Sequence, residues 1–247
     1  MPALMMQPDL SNLVVSGPVR NAARTAWQQQ GWPGPRVESW RFTKLDRLGT
    51  RDITPASSLS PTIAGDGLAM AQGMGAHAIR IINGIIDPAS LEGLPAGLTA
   101  GNLHNDQDAQ DAMMALAPPD HPVSNLSMAV MSGGLVLDVA GEVAKPLALI
   151  FDGDDASLSA HPVVLIRLAP ATRMVMAEWH QSAVGLSAPL IGFDLARRAS
   201  LDFVKIQAED RATSHLAATG VSLAADARVA GFSLSVGGEM ARLETHV

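Results

Sequence analysis

The chain has 247 residues, a formal net charge of −7 and a pI near 5.4, with 47% hydrophobic and 17% charged residues. That length supplies a sizeable core in one or two domains, and the acidic balance without a basic run lacks the electrostatic footprint of a nucleic-acid binder. There is no cysteine, which excludes disulfides, thiolate nucleophiles and metal or cluster ligation by the chain's own thiols.

The opening "MPALMMQPDL" has no basic residue before Arg20, so it is not a secretory signal. No apolar run is long and pure enough for a membrane span, and a cytoplasmic protein is expected. Residues 16–31 predict a helix, with Val19, Ala22, Ala23, Ala26 and Trp27 on one face. Ser16 or Gly17 can cap it, Pro18 suits its first turn and Gly31 its stop. The next stretch, "VESWRFTKLDRL", places Trp40 and Phe42 close together in a chain with 4% aromatics. Both read as apolar anchors where the helical region meets a hairpin region further along the chain. Residues 49–75, rich in Ser, Pro and Gly, read as loop.

"IRIINGIID" places two Ile-rich runs around Asn83-Gly84, a pair that accepts the positive φ angles of a two-residue hairpin turn. A second helix is expected around Asp106–Leu116, with Ala109, Ala112, Met113 and Leu116 on its apolar face and Pro118-Pro119 ending it. From Leu135 onward short apolar runs recur, among them "LVLDV", "PLALIF", "VVLIRL", "RMVMAEW", "SLDFVKIQ" and "RVAGFSLSV". Ala171, Ala199 and Ala227 stand 28 residues apart and Ala241 follows at half that interval, a strand-and-turn unit of about 14 residues. Sandwich, barrel and β-solenoid all fit short regular strands. The near-fixed spacing and small turns favour the solenoid, in which each coil buries its side chains on the next.

Local motifs for chemistry are weak. "GMGAHA" at 73–78 has dinucleotide-fingerprint glycines, but a strand follows where a helix is required. "DGDDAS" at 152–157 lacks the closing Glu of a calcium loop, since Val163 holds that position, and reads as a solvated connection. His77, His104, His121, His161, His180, His215 and His246 form no metal-binding spacing. They read as surface or strand-end residues, with His180 able to approach His215 or His246 if strands stack. His121 and His161 each precede a proline and suggest entry into extended segments. Asp194, Asp202, Glu209 and Asp210 are candidates for a carboxylate pair only by proximity. No G-x-S-x-G elbow occurs.

"PRVESWRFTKLDRL" closely resembles a segment at the end of the N-terminal helical region of the SufB/SufD family, its SufD branch in particular. Glu38, Trp40, Arg41, Phe42 and Thr43 carry that motif, and Asn83 and Gly84 match the family's hairpin. "LPAGLTAGNL", "NLSMAVMSGGLVLDVAGEVAKPLALIF", "HPVVLI" and "GFSLSVGGEMARLETHV" are similar, in order, to later pieces, ending on a "GG-x-x-x-R" phrase. "GG" replaces the family's "DG", and "AGEV" its "P-x-G-V" turn. The resemblance implies a mainly β fold with a small helical N-terminal part, the β portion being a right-handed parallel β-helix. It implies residues 1–78 as a helical and loop region, 79–134 as a hairpin plus helix connection, and 135–247 as a β-helix incomplete at its end.

The implied role is non-catalytic: a scaffold for iron–sulfur cluster assembly in a SufBCD complex, with a SufB-like subunit and a SufC-like ATPase as partners. No nucleic acid or membrane is implied. No catalytic, cofactor or metal residue carries over to this chain, and a cluster is expected only at an interface shared with a partner. Family members continue beyond this point into a C-terminal helical domain that holds the ATPase, so a stop at Val247 implies truncation. The alternatives are a stand-alone carbohydrate-active β-helix enzyme and an inactive fragment.

Overall fold

The computed structural model describes residues 10, 17–43, 45, 48, 54–59, 65–118, 121–131 and 133–247. Ser16, Lys44 and Pro119, named above, lie outside these residues. Helix α1 (Pro18–Gln30) carries Pro at its start and ends on Gly31, whose φ of 60° is one that L residues rarely adopt. A 3₁₀ turn at Glu38–Trp40 and the short strand β1 (Thr54–Pro55) follow. Helix α2 (Asp66–Gly73) lies inside the segment expected to be loop. Its eight residues hold two glycines, too poor in helix formers for propensity to mark it. Packing of Leu68 and Ala71 against Ala148 and Ile150 holds it.

Strands β2 (His77–Ile82) and β3 (Ile85–Ile86) form the expected hairpin, with Asn83 at φ 53° and Gly84 at φ 82°. Helix α2 precedes β2, so of the glycines of "GMGAHA" Gly73 ends the helix and Gly75 sits in the helix-to-strand turn. After β4 (Leu98–Asn102), helix α3 (Gln107–Leu116) starts where Asp106 accepts a hydrogen bond from Ala109 N at 2.9 Å.

Helix α4 (Pro122–Val130) was not expected. All nine of its residues are buried, so "PVSNLSMAV" has no polar face and no helical period to read. His121 itself is extended, as the following proline requires, but it caps α4 rather than entering a strand: its Nδ1 accepts from Ser124 N at 3.1 Å. The carbonyls at the other end of α4 are held from α1. The buried Arg20 guanidinium donates to Ala129 O at 3.0 Å and Met131 O at 3.1 Å. A cation at a helix C-terminus also meets the negative end of its dipole.

The remainder is a parallel β-solenoid of about four turns. Its strands are β5 (Gly134–Val139), β6 (Leu147–Asp152), β7 (Leu158–Ala160), β8 (Val163–Leu168), β9 (Arg173–His180), β10 (Leu186–Ser187), β11 (Leu190–Leu195), β12 (Ser200–Gln207), β13 (Ser214–Leu223), β14 (Arg228–Ser235) and β15 (Met240–His246). One sheet stacks β2, β6, β9, β12 and β14; the other stacks β5, β8, β11 and β13, with β7, β10 and β15 alongside. Gly134 pairs with Val163, Val163 with Leu190, and Leu190 with Ala218. A coil is therefore 27 to 29 residues, two strand units of the length expected. The repeat in alanines is off by one at its first member. The stacked left-handed positions are Ala171, Arg198 and Asp226, with φ near 60°, while Ala199 and Ala227 each follow one.

Inside the solenoid, Leu135, Leu137, Leu149, Ile166, Met176, Phe193 and Leu201 form one apolar core. Helices α1, α3 and α4 bury the outer face of the β5–β8–β11–β13 sheet through Trp27, Met113, Leu126 and Met128. Burial on both faces explains the near-continuous apolar runs of these strands. At Gly220 an added Cβ would lie 2.1 Å from Leu116 O, and at its register neighbour Gly192 it would meet Met113 Sδ at 2.8 Å. Two stacked glycines thus form the notch that seats the end of α3.

Candidate functional site

Along β9 the inward residues are Met174, Met176, Glu178 and His180; along β12 they are Leu201, Phe203, Lys205 and Gln207. In register, Leu149–Glu178–Lys205 and Phe151–His180–Gln207 make two ladders through the interior. The core is apolar in the first coil and becomes charged in the next two. Phe151 forms the floor, its ring stacked on His180 at 4.1 Å and 4°.

Lys205 Nζ lies 2.9 Å from Glu178 Oε2, and His180 Nε2 is 3.2 Å from the same oxygen. Glu209, just past β12, receives Gln207 Nε2 on its Oε2 at 3.1 Å. His215 Nδ1 stands 2.8 Å from that Oε2, off the direction of a hydrogen bond. The His180 and His215 rings meet edge to face at 5.0 Å. All six polar side chains are buried. Among the described residues, Glu178 Oε1, Glu209 Oε1, His180 Nδ1 and both His215 nitrogens have no hydrogen-bond partner, an unusual concentration for a protein interior.

Burial pushes His180 down to about 4, against the pull of Glu178, so it is neutral at pH 7. Burial would raise Glu178, but Lys205 and then His180 hold it down to about 2. Glu209 is likewise lowered: the raising effect of burial is outweighed by His215 and, to a lesser degree, His180. The cluster therefore combines two carboxylates, a cation and neutral imidazole in a site shielded from water.

Glu209 and His215, read above as exterior or strand-end residues, are corrected by this burial; so is His180, whose approach to His215 the strand stacking does deliver. His161 is buried too, with Ser127 Oγ at 3.2 Å from its Nδ1. Asp152 is not solvated: it pairs with Arg80 at 3.2 Å beneath the hairpin. Glu178, Lys205 and Gln207 were not singled out in sequence, although the period-2 parity from Met174 and Phe203 marks them as inward.

The other residues singled out in sequence lie elsewhere. Glu38 and Arg41 form an exposed contact at 3.9 Å, worth little. Phe42 is 87% exposed and is not an anchor. Trp40 is buried, but against the last coil rather than the hairpin. Its ring lies 5.3 Å from that of His121 and has Arg242 Cζ 4.1 Å from its centroid. Arg242 donates to Thr43 Oγ1 at 3.2 Å and pairs with Glu244. The "ESWRFT" motif and the arginine of "GG-x-x-x-R" thus form one clamp. Arg242→Ala should lower unfolding free energy by about 1–2 kcal/mol, from the lost cation–π contact and hydrogen bond; urea titration measures it. Asn83 N donates to Asp152 O at 2.8 Å, and Gly84 packs on the backbone of Ala160 and His161, where no side chain would fit.

The fold and its interior define a parallel β-solenoid protein with a charged cluster built across successive coils. Residues 150–247, from β6 to β15, match the family model of the SUF system FeS cluster assembly, SufBD core domain. Over those residues the chain is similar to the SufB/SufD family, a family of iron–sulfur cluster assembly. No curated protein matches it. Among the described residues no helix is long and apolar enough to cross a membrane.

Proposed function

We propose that this chain is a SufD-like, non-catalytic scaffold subunit of a cytoplasmic SufBCD-type complex, with a SufB-like subunit and a SufC-like ATPase as partners. The observation that supports this most is the SufBD core match, which falls on the stacked coils themselves. The thiol-free composition fits a subunit that shares a nascent cluster at an interface, with thiolates supplied by the partner. The outward residues of the β5–β8–β11 sheet also favour scaffold over carbohydrate chemistry. Asp138, Arg167 and Asp194 stack in register, and Arg167 Nε donates to Asp138 Oδ1 at 2.6 Å. This ladder alternates in sign, whereas a glycosidase groove needs facing carboxylates.

Co-expression of the full chain with a SufB-like and a SufC-like protein from one SUF system tests the reading. The expected result is a complex that survives gel filtration. Failure to bind either partner, with the chain folded by circular dichroism, would overturn it.

A further inference from the structure

We propose that His180, Glu209 and His215 form a binding site for a divalent first-row transition-metal ion of the Zn²⁺ or Fe²⁺ class, inside the solenoid. One ligand atom from each residue lies within 4.8 Å of the other two, and all three residues are buried. They come from three separate places, the end of β9, the turn after β12 and the start of β13, and only coil stacking brings them together. Around a tetrahedral ion with bonds of about 2.0–2.2 Å, donors stand about 3.4 Å apart. Side-chain movement of roughly 1 Å closes the trio on an ion.

Three independent features point to a ligand. First, each of the three residues keeps a buried polar atom with no hydrogen-bond partner among the described residues, which would otherwise cost about 1–3 kcal/mol apiece. Second, the supporting contacts are those that orient metal ligands. Glu178 Oε2 faces His180 Nε2 at 3.2 Å and thereby leaves Nδ1 as the free nitrogen. Gln207 donates to Glu209 Oε2 and leaves Oε1 free. Third, among the described residues Glu209 has no Lys or Arg in ion-pair contact; its only such neighbour is His215. A buried carboxylate requires a counter-charge, and a metal cation can supply it. Two imidazoles and a carboxylate with an open position suit borderline divalent ions and not calcium or magnesium, which prefer all-oxygen sites. The site stands on this geometry alone and does not depend on the scaffold reading.

The test uses the tag-free full chain, stripped with chelator and titrated with Co²⁺. The expected result is one equivalent bound with ligand-field absorption bands, displaced by Zn²⁺. His215→Gln and Glu209→Gln should each weaken binding by at least about 100-fold, the upper end of the effect of losing a mere outer-shell partner. His77→Ala, remote from the trio, should bind as the parent does. X-ray absorption of the Zn²⁺-loaded parent supplies a readout that needs no variant to fold: two imidazoles in the first shell are expected. No stoichiometric binding, a first shell without imidazole, or unchanged binding in folded His215→Gln would each overturn the proposal.

Discussion

Lys205→Met in the metal-free protein should lower the free energy of unfolding by about 3–5 kcal/mol, the usual cost of removing one partner from a buried ion pair. Lys205 Nζ sits 2.9 Å from Glu178 Oε2, and neither side chain is solvated. With Lys205 gone, the Glu178 carboxylate would retain, among the described residues, only His180, and its Oε1 already lacks a hydrogen-bond partner there. It would have to remain charged in a low-dielectric interior or take up a proton, and both are unfavourable at pH 7. The double variant Glu178→Leu, Lys205→Met removes the charge itself. It should recover most of the loss, because an apolar replacement of a buried pair is often neutral. Urea unfolding of the parent, both single variants and the double variant gives the coupling energy. A loss below about 1 kcal/mol for Lys205→Met, the range of an exposed pair, would show that water reaches the cluster.

Acid should destabilise this protein earlier and more steeply than its carboxylates alone would do. Burial holds His161 down to about 3 and His180 down to about 4, against an ordinary value of 6.5. Between those values the unfolded chain binds protons that the folded chain refuses. Stability is therefore full above pH 6.5 and falls as pH drops toward the folded values, by up to about 1 kcal/mol per pH unit for each histidine. Glu178, lowered to about 2 from 4.5, adds its own loss only below about pH 4.5. Urea unfolding at pH 7, 6, 5 and 4 should show the decline beginning near pH 6. His161→Gln should make it shallower: the Ser127 hydroxyl already donates to Ala188 O at 2.8 Å, so the neutral ring, as donor to Ser127 Oγ, is the form that fits. Equal stability at pH 7 and pH 5 would refute this account.

Most of the solenoid could be read in the sequence because coil stacking imposes a fixed spacing. Turns at Ala171, Arg198 and Asp226 recur every 27 or 28 residues, and runs such as "VVLIRL" are apolar on both faces. The Asn83-Gly84 hairpin was legible because positive φ angles demand particular residue types. Helix α4 escaped because burial all round erases periodicity, and α2 because packing rather than propensity forms it. The charged cluster was half legible. Strand parity turns Glu178, His180, Lys205 and Gln207 inward, but polar residues on a strand read first as solvated. Only the register, which sets His180 above Phe151 and beside Gln207, shows that they meet. The partner of Trp40 was beyond local pattern altogether.

The Trp40–Arg242 clamp also orders events in time. Thr43 and Arg242 are 199 residues apart, and synthesis at about 5–20 residues per second separates them by roughly 10–40 s. During that interval the coils between them can stack one upon another, each on a finished neighbour, while residues 38–43 wait without their docking surface. An early-made segment thus gains its last fastening late. Its protection from protease during translation would report that β15 has been laid down.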